Sequence, residues 1–123
     1  MLHHVDVHVR DLATSALFAA LAERIGYCLL ETAPDFVGFE TAARGRPRIG
    51  FILDPGHAAG SMRLAFAVKT RGFVDEIAAI ARRRGARAIE GPGLHPEYGD
   101  YYAVFFEDAE GNKYEVLADP QGT

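Results

Sequence analysis

The stretch His4-Val5-Asp6-Val7-His8-Val9-Arg10-Asp11-Leu12 decides the fold of this chain, because a related stretch recurs 59 positions later. The repeat aligns residues 2–33 with residues 61–92 without a gap. In both copies, apolar residues at every second position predict a strand, and the apolar spacing that follows predicts a helix. Each helix ends at a glycine, Gly26 or Gly85, which suits a left-handed backbone position. The sequence therefore predicts one structural unit written twice.

Each copy is predicted to run strand, helix, strand, strand, strand. The helices begin near Asp11 and Thr70, whose side chains can cap a helix N-terminus, and the second helix has Phe73 on its apolar face. After the alternating runs that open the copies, the predicted strands are Tyr27–Thr32, Phe36–Thr41, Arg48–Leu53, Ala86–Ile89, Tyr101–Glu107 and Lys113–Leu117. The predicted fold class is α+β, with two βαβββ modules that form a curved mixed sheet around a concave site.

The two modules are predicted to share one domain over residues 1–123. Module 1 spans about residues 1–54, a turn-rich linker spans 55–60, and module 2 spans about 61–119. A second independent domain would leave each half near the lower size limit of about 50 residues, where hydrophobic cores become marginal.

Charge and composition exclude several classes of partner. The formal net charge is -4 at pH 7, which argues against the broad basic face that nucleic acid requires. The longest uncharged apolar run, residues 12–22, is too short to cross a bilayer, and no leader pattern opens the chain. The single cysteine, Cys28, lies in a stretch that predicts a buried strand and a structural thiol. We therefore expect a cytoplasmic protein that binds neither nucleic acid nor membrane.

Strand alternation predicts which polar side chains point away from the helices and toward the concave site. These side chains are His4, Asp6, His8, Arg63 and Glu115. A carboxylate in the middle of an apolar strand must be paired or functional to offset its desolvation. Glu115 is therefore the strongest candidate for a catalytic residue, and Arg63 is the second.

Over nearly its whole length, the sequence resembles the vicinal oxygen chelate superfamily, which includes glyoxalase I, bleomycin resistance proteins and extradiol dioxygenases. Residues 4–12 are similar to that family's first strand and helix start, and Arg63–Val68 is similar to its fifth strand. The most specific similarity is in residues 101–116, which resemble its C-terminal hairpin.

The resemblance implies a metal site that this chain only partly retains. Members of the superfamily hold a metal with residues of the first, fourth, fifth and eighth strands, and His4 and Glu115 occupy the first and last of these positions. The fourth-strand position falls on Gly50 or, one residue away, on Ile49. The fifth falls on Arg63, whose guanidinium has no lone pair to donate. The resemblance thus leaves open a divalent metal (Zn, Ni, Fe or Mn) or none.

Three interpretations of these residues are open. In the first, His95, from an insert at residues 93–100, joins His4 and Glu115 as a third metal ligand. In the second, Arg63 pairs with Glu115 or binds an anionic group, and the concave face takes an organic molecule without metal. In the third, the side chains form a structural polar network. The candidate ligand-binding residues are Asp6, His8, His95 and Tyr101.

The predicted function is the binding of a small oxygenated or anionic organic molecule. As an enzyme, the protein would be a metal-dependent lyase or isomerase similar to glyoxalase I or, as a further option, a dioxygenase. Glu115 would then act as ligand or base, and Arg63 would stabilise an oxyanion. The alternative is a metal-free protein that sequesters a drug or metabolite. The resemblance also implies a homodimer.

Overall fold

The computed structural model describes residues 1–121 and contains two compact units, Met1–Ala59 and a second that begins at Gly60. The elements of the first unit are β1 (His4–Val9), a 3-10 helix (Leu12–Ser15), α1 (Ala16–Ile25), β2 (Tyr27–Ala33), β3 (Phe36–Thr41) and β4 (Arg48–Leu53). The elements of the second unit are β5 (Arg63–Val68), α2 (Arg71–Arg83), β6 (Arg87–Leu94), a 3-10 helix (Pro96–Tyr98), β7 (Tyr102–Glu107) and β8 (Lys113–Ala118).

Each unit contains one four-stranded mixed sheet. The strand order is β1-β4-β3-β2 in the first unit and β5-β8-β7-β6 in the second. The first and last strands of each unit pair in parallel, and the remaining neighbours pair antiparallel. The predicted α+β fold class with two βαβββ modules is confirmed.

The core of the first unit forms around Phe18, which α1 places against one face of the sheet. Its ring contacts those of Phe39, Phe51 and Tyr27, with centroids 4.9 to 5.7 Å apart, and all four side chains are buried. Because side chains alternate along a strand, the residues between these core positions point the other way. We call this opposite side of the sheet the helix-free face of the first unit.

The second unit repeats this arrangement with different residues. Helix α2 packs on β7 and β8, and Val74, Ile77, Val104 and Val116 are all fully buried. We call the opposite side of this sheet the helix-free face of the second unit. Glu115 lies on this face, between Ala65 of β5 and Phe105 of β7.

The predicted caps hold at both helices, but α1 begins later than expected. The Asp11 carboxylate accepts a hydrogen bond from the Ala13 amide and caps a 3-10 helix, so the α-helical turns start only at Ala16. Thr70 caps α2 directly by accepting a hydrogen bond from the Phe73 amide at 3.1 Å. Gly26 ends α1 with a φ of 104°, in the left-handed region that favours glycine.

The prediction of a buried structural thiol is wrong. Cys28 is exposed, and so is Leu29, because β2 is the outer strand of its sheet and only Tyr27 of this strand is buried. Phe73 is also exposed rather than part of the core, since Val74 occupies the inward position at the start of α2. Both errors arise because an apolar sequence run does not reveal which positions a single helix or sheet covers.

The predicted insert at residues 93–100 is shorter than expected. Strand β6 continues to Leu94, a 3-10 helix follows, and Tyr101 lies just before β7 rather than inside it. Among residues 1–121, no helix has the length and apolarity needed to span a membrane.

Candidate functional site

Glu115 is the most deeply placed polar group on the helix-free face of the second unit. It lies in the middle of β8, between Ala65 of β5 and Phe105 of β7, and its exposed fraction is 7%. The Tyr101 hydroxyl donates a hydrogen bond to its Oε2 atom. A buried carboxylate is therefore held on this face by a phenol.

Arg63 approaches the same region from β5. Its guanidinium carbon lies 4.9 Å from the centre of the Phe105 ring, in a cation–π contact. Because β8 lies between β5 and β7, the Arg63 side chain passes over the strand that carries Glu115. Within residues 1–121, the predicted ion pair of Arg63 with Glu115 is not formed, and Tyr101 is the hydrogen-bond partner of Glu115 instead.

His95 belongs to the same cluster of side chains. Its ring centre lies 5.0 Å from that of Phe105 and 6.3 Å from that of Tyr101. Its Nδ1 atom lies 3.2 Å from Oε1 of Glu97. The second unit thus brings together four of the predicted site residues, Arg63, His95, Tyr101 and Glu115.

The Tyr101 phenol has an altered acidity. Burial, followed by its hydrogen bond to Glu115, raises the pKa of Tyr101 to about 12. The folded protein therefore holds this proton more tightly than the unfolded chain, whose tyrosine pKa is 10.0. The resulting contribution to stability is complete below about pH 10 and is lost as the pH rises through the folded pKa.

We expect a spectrophotometric titration of tyrosinate absorbance to show a late component, near pH 12, that is absent from Tyr101→Phe. Replacing Tyr101 removes only that phenol, so the difference between the two curves reports its titration. A difference curve with its midpoint at the ordinary tyrosine pKa would contradict the hydrogen-bonded geometry.

The first unit holds the other three predicted residues on its own helix-free face. His4 Nε2 lies 3.6 Å from Asp6 Oδ2, and His4 Nδ1 lies 3.0 Å from the Nδ1 atom of His3. His8 Nδ1 lies 3.0 Å from Asp54 Oδ2, at the end of the β1–β4 pair. This hydrogen bond is the main cause of the lowered Asp54 pKa.

Two of the superfamily's four metal positions carry no metal ligand in this chain. Gly50 of β4 offers no ligand, and a Cβ atom there would lie 2.7 Å from the Phe36 ring, so no larger side chain fits without displacing that ring. Arg63 cannot donate a lone pair. Among residues 1–121, no three His, Cys, Asp or Glu side chains form a group that could hold a metal ion. Metal binding by His4 and Glu115, which belong to different units, stays a prediction.

Sequence reasoning missed two polar residues that the structure makes prominent. Asp108 lies in a turn, where exposure is the usual expectation, yet it is 1% exposed and accepts four hydrogen bonds. Arg48 is the first residue of β4, and its Nε atom is buried. The tight Asp-Ala-Glu-Gly-Asn turn was a usable signal for Asp108, whereas no sequence signal identifies the burial of Arg48.

Comparison with known proteins supports the interpretation of the fold. No protein-family model and no curated protein sequence matches the chain. Among solved structures, a glyoxalase/bleomycin resistance protein/dioxygenase family enzyme from Burkholderia phytofirmans PsJN is 26% identical, with a TM-score of 0.76. The match covers 95% of this chain and 97% of that one. The chain belongs to the vicinal oxygen chelate superfamily.

Two further structures show the same fold. A glyoxalase/bleomycin resistance protein from Albidiferax ferrireducens T118 is 24% identical, with a TM-score of 0.80, over 94% of this chain and 97% of that one. A glyoxalase-related enzyme from Fulvimarina pelagi is 19% identical, with a TM-score of 0.74, and the match covers 98% of this chain and 88% of that one. The chain therefore has the fold that the resemblance predicts.

Proposed function

We propose that this superfamily member binds a small oxygenated, anionic organic molecule without a resident metal, on the helix-free face of its second unit. The observation that carries the proposal is the position of Arg63 over Phe105, on the face that holds Glu115. A guanidinium stays protonated at any relevant pH and can bind a carboxylate through two parallel N–H groups. It supplies the positive charge that a metal ion provides elsewhere in the superfamily.

Charged side chains of both signs surround Arg63. Arg63 lines a small cavity of about 90 Å³ together with Phe105 and Lys113, and the carboxylates of Glu90 and Glu107 border it as well. Lys113 is 3.7 Å from Glu107, which offsets part of its charge. The Tyr101 hydroxyl donates a hydrogen bond to Glu115, which stabilises the negative charge of this carboxylate. Glu115 therefore repels a bound anion less than a carboxylate without a hydrogen bond would.

Ligand-dependent thermal stability tests this proposal. Chelator-treated protein is heated with pyruvate, lactate or inorganic phosphate, and we expect at least one to raise the Tm, because a ligand stabilises the state that it binds. Arg63→Met should weaken the binding of that ligand about tenfold or more, because a hydrogen bond to a charged group contributes about 1.5–3 kcal/mol.

Arg82→Met is the matched control, because Arg82 is an exposed arginine in the last turn of α2. This variant should keep the full shift in Tm. Equal shifts in wild type and Arg63→Met, or a shift that appears only when metal is added back, would contradict the proposal.

A second candidate is metal-free proton transfer, which the burial of Glu115 favours. A desolvated carboxylate beside a guanidinium can take a proton from the carbon next to a carbonyl group. The electron pair of the broken C–H bond moves to the carbonyl oxygen, where Arg63 would stabilise the enolate. Protonation of the enolate at its oxygen, or at a different carbon, would isomerise the substrate, whereas return of the proton to the original carbon would only exchange it with solvent.

A further inference from the structure

The chain just before Tyr101 is held by polar contacts with helix α2 rather than by a hydrophobic core. Residues 96–100, which lie between β6 and β7, are all exposed. They lead into the edge of a cavity of about 450 Å³, whose lining includes Arg71, Asp100, Tyr101 and Tyr102. Burial of apolar side chains therefore contributes little to the position of this segment, so its contacts with α2 decide where it lies.

Arg71, the first residue of α2, contacts both chain neighbours of Tyr101. Its Nη2 atom lies 2.6 Å from Oδ1 of Asp100, in an ion pair. Its guanidinium carbon lies 5.2 Å from the centre of the Tyr102 ring, in a cation–π contact. One turn further along α2, the Asp75 carboxylate accepts a hydrogen bond from the Tyr102 hydroxyl. Residues four apart lie on the same face of a helix, so one face of α2 holds positions 100 and 102.

Tyr101, between these two held positions, points to the opposite side of the sheet. Its hydroxyl donates a hydrogen bond to Oε2 of Glu115 on the helix-free face of the second unit, whereas the Tyr102 hydroxyl donates to α2. Consecutive side chains of an extended chain point to opposite sides in this way. The Tyr101 carbonyl is fixed as well, because it accepts a hydrogen bond from the His95 amide at 2.7 Å. Contacts on the helix side of the sheet thus set the position of Tyr101 at Glu115.

We propose that Arg71 is a positioning residue, which holds the Tyr101 hydroxyl against the Glu115 carboxylate by fixing the residues on either side of Tyr101. The consequence for chemistry rests on the proposed function, in which Glu115 is the base. The hydrogen bond to Oε2 orients the carboxylate and leaves Oε1 to accept the proton. Loss of Arg71 should therefore slow proton transfer without weakening the binding of an anion at Arg63.

The position of Tyr101 can be measured on the protein alone, without any ligand. The Glu115 carboxyl carbon is labelled with carbon-13, and its resonance is assigned by its absence from Glu115→Gln. At neutral pH, Arg71→Met should move this resonance part of the way toward its position in Tyr101→Phe, which has lost the hydrogen bond. The His95 amide, whose acceptor is the Tyr101 carbonyl, should exchange with heavy water roughly threefold to tenfold faster than in wild type.

Two further variants separate the role of the Arg71 charge from the loss of a side chain. Arg71→Lys keeps a cation that can pair with Asp100 and should retain most of the protection of the His95 amide. Lys69→Met removes another cation that lines the same cavity, and it should behave as wild type does. Equal amide exchange rates in Arg71→Met and Lys69→Met, or an unmoved Glu115 resonance in Arg71→Met, would overturn the proposal.

Deuterium exchange of the pyruvate methyl hydrogens tests the consequence for Glu115. In Arg71→Met, the rate at saturating pyruvate should fall roughly threefold to tenfold, while the half-saturating pyruvate concentration stays at the wild-type value. If the wild type exchanges no methyl hydrogen, the proposed proton transfer fails, whereas the Glu115 resonance and the His95 amide still decide the role of Arg71. A wild-type rate at saturating pyruvate in Arg71→Met would contradict the positioning of Glu115 through Tyr101.

Discussion

Replacing Asp108 by alanine is expected to destabilise the protein by about 3 kcal/mol or more. The Asp108 carboxylate is almost fully buried in the turn between β7 and β8. It accepts hydrogen bonds from the Glu110 and Asn112 amides, from the Asn112 side chain and from the Tyr114 hydroxyl, at 2.9 to 3.1 Å. Removing it leaves the buried Tyr114 hydroxyl and two amides of the turn without their acceptor.

Chemical denaturation of Asp108→Ala and of a control measures this loss. Asp35→Ala is the control, because Asp35 lies in the exposed turn between β2 and β3 of the first unit. Surface substitutions of this kind change stability by about 0.5 kcal/mol or less. If Asp108→Ala were as stable as Asp35→Ala, the hydrogen-bonded turn would not be a stabilising element of the second unit.

Replacing Glu115 by glutamine is expected to slow proton transfer by roughly 10²–10⁴-fold. The amide is nearly the same shape as the carboxylate and can still accept the Tyr101 hydrogen bond, but it is not basic. The measurement is the exchange of pyruvate methyl hydrogens with deuterium in heavy water, followed by NMR with chelator-treated protein. Pyruvate binding through Arg63 should persist in this variant.

Glu76→Gln is the control for the exchange experiment, because Glu76 is an exposed glutamate of α2 in the same unit and lies away from the helix-free face. It should exchange pyruvate at the wild-type rate. Equal rates in wild type and Glu115→Gln would remove Glu115 from the proposed chemistry. Binding without exchange in the wild type would leave the protein a binding protein.

The repeat made most of the fold predictable from sequence. Strand bounds for β3, β4 and β5 follow from local alternation, and the helix ends follow from capping residues and glycines. The exposure of Cys28 and Phe73 could not be predicted in this way. Burial depends on which strand lies at the edge of a sheet and on how far one helix reaches, and neither is a local property.

The candidate site was predictable as a set of residues but not as a set of contacts. Alternation identified Glu115 as a buried carboxylate and assigned Arg63 to the same face. The partner of Glu115 proved to be Tyr101, which lies outside β7, so its position depends on the path of the chain before that strand. The Phe36 ring likewise lies across two glycines, Gly38 and Gly50, that pair on neighbouring strands. Only the strand register reveals this pairing.

The most direct test of the central claim is a titration of chelator-treated protein with pyruvate, monitored through assigned backbone amide resonances. We expect saturable shifts centred on Arg63, Phe105 and Glu115, and their loss in Arg63→Met but not in Arg82→Met. The absence of saturable shifts at these three residues, or unchanged binding by Arg63→Met, would contradict metal-free anion recognition by this face.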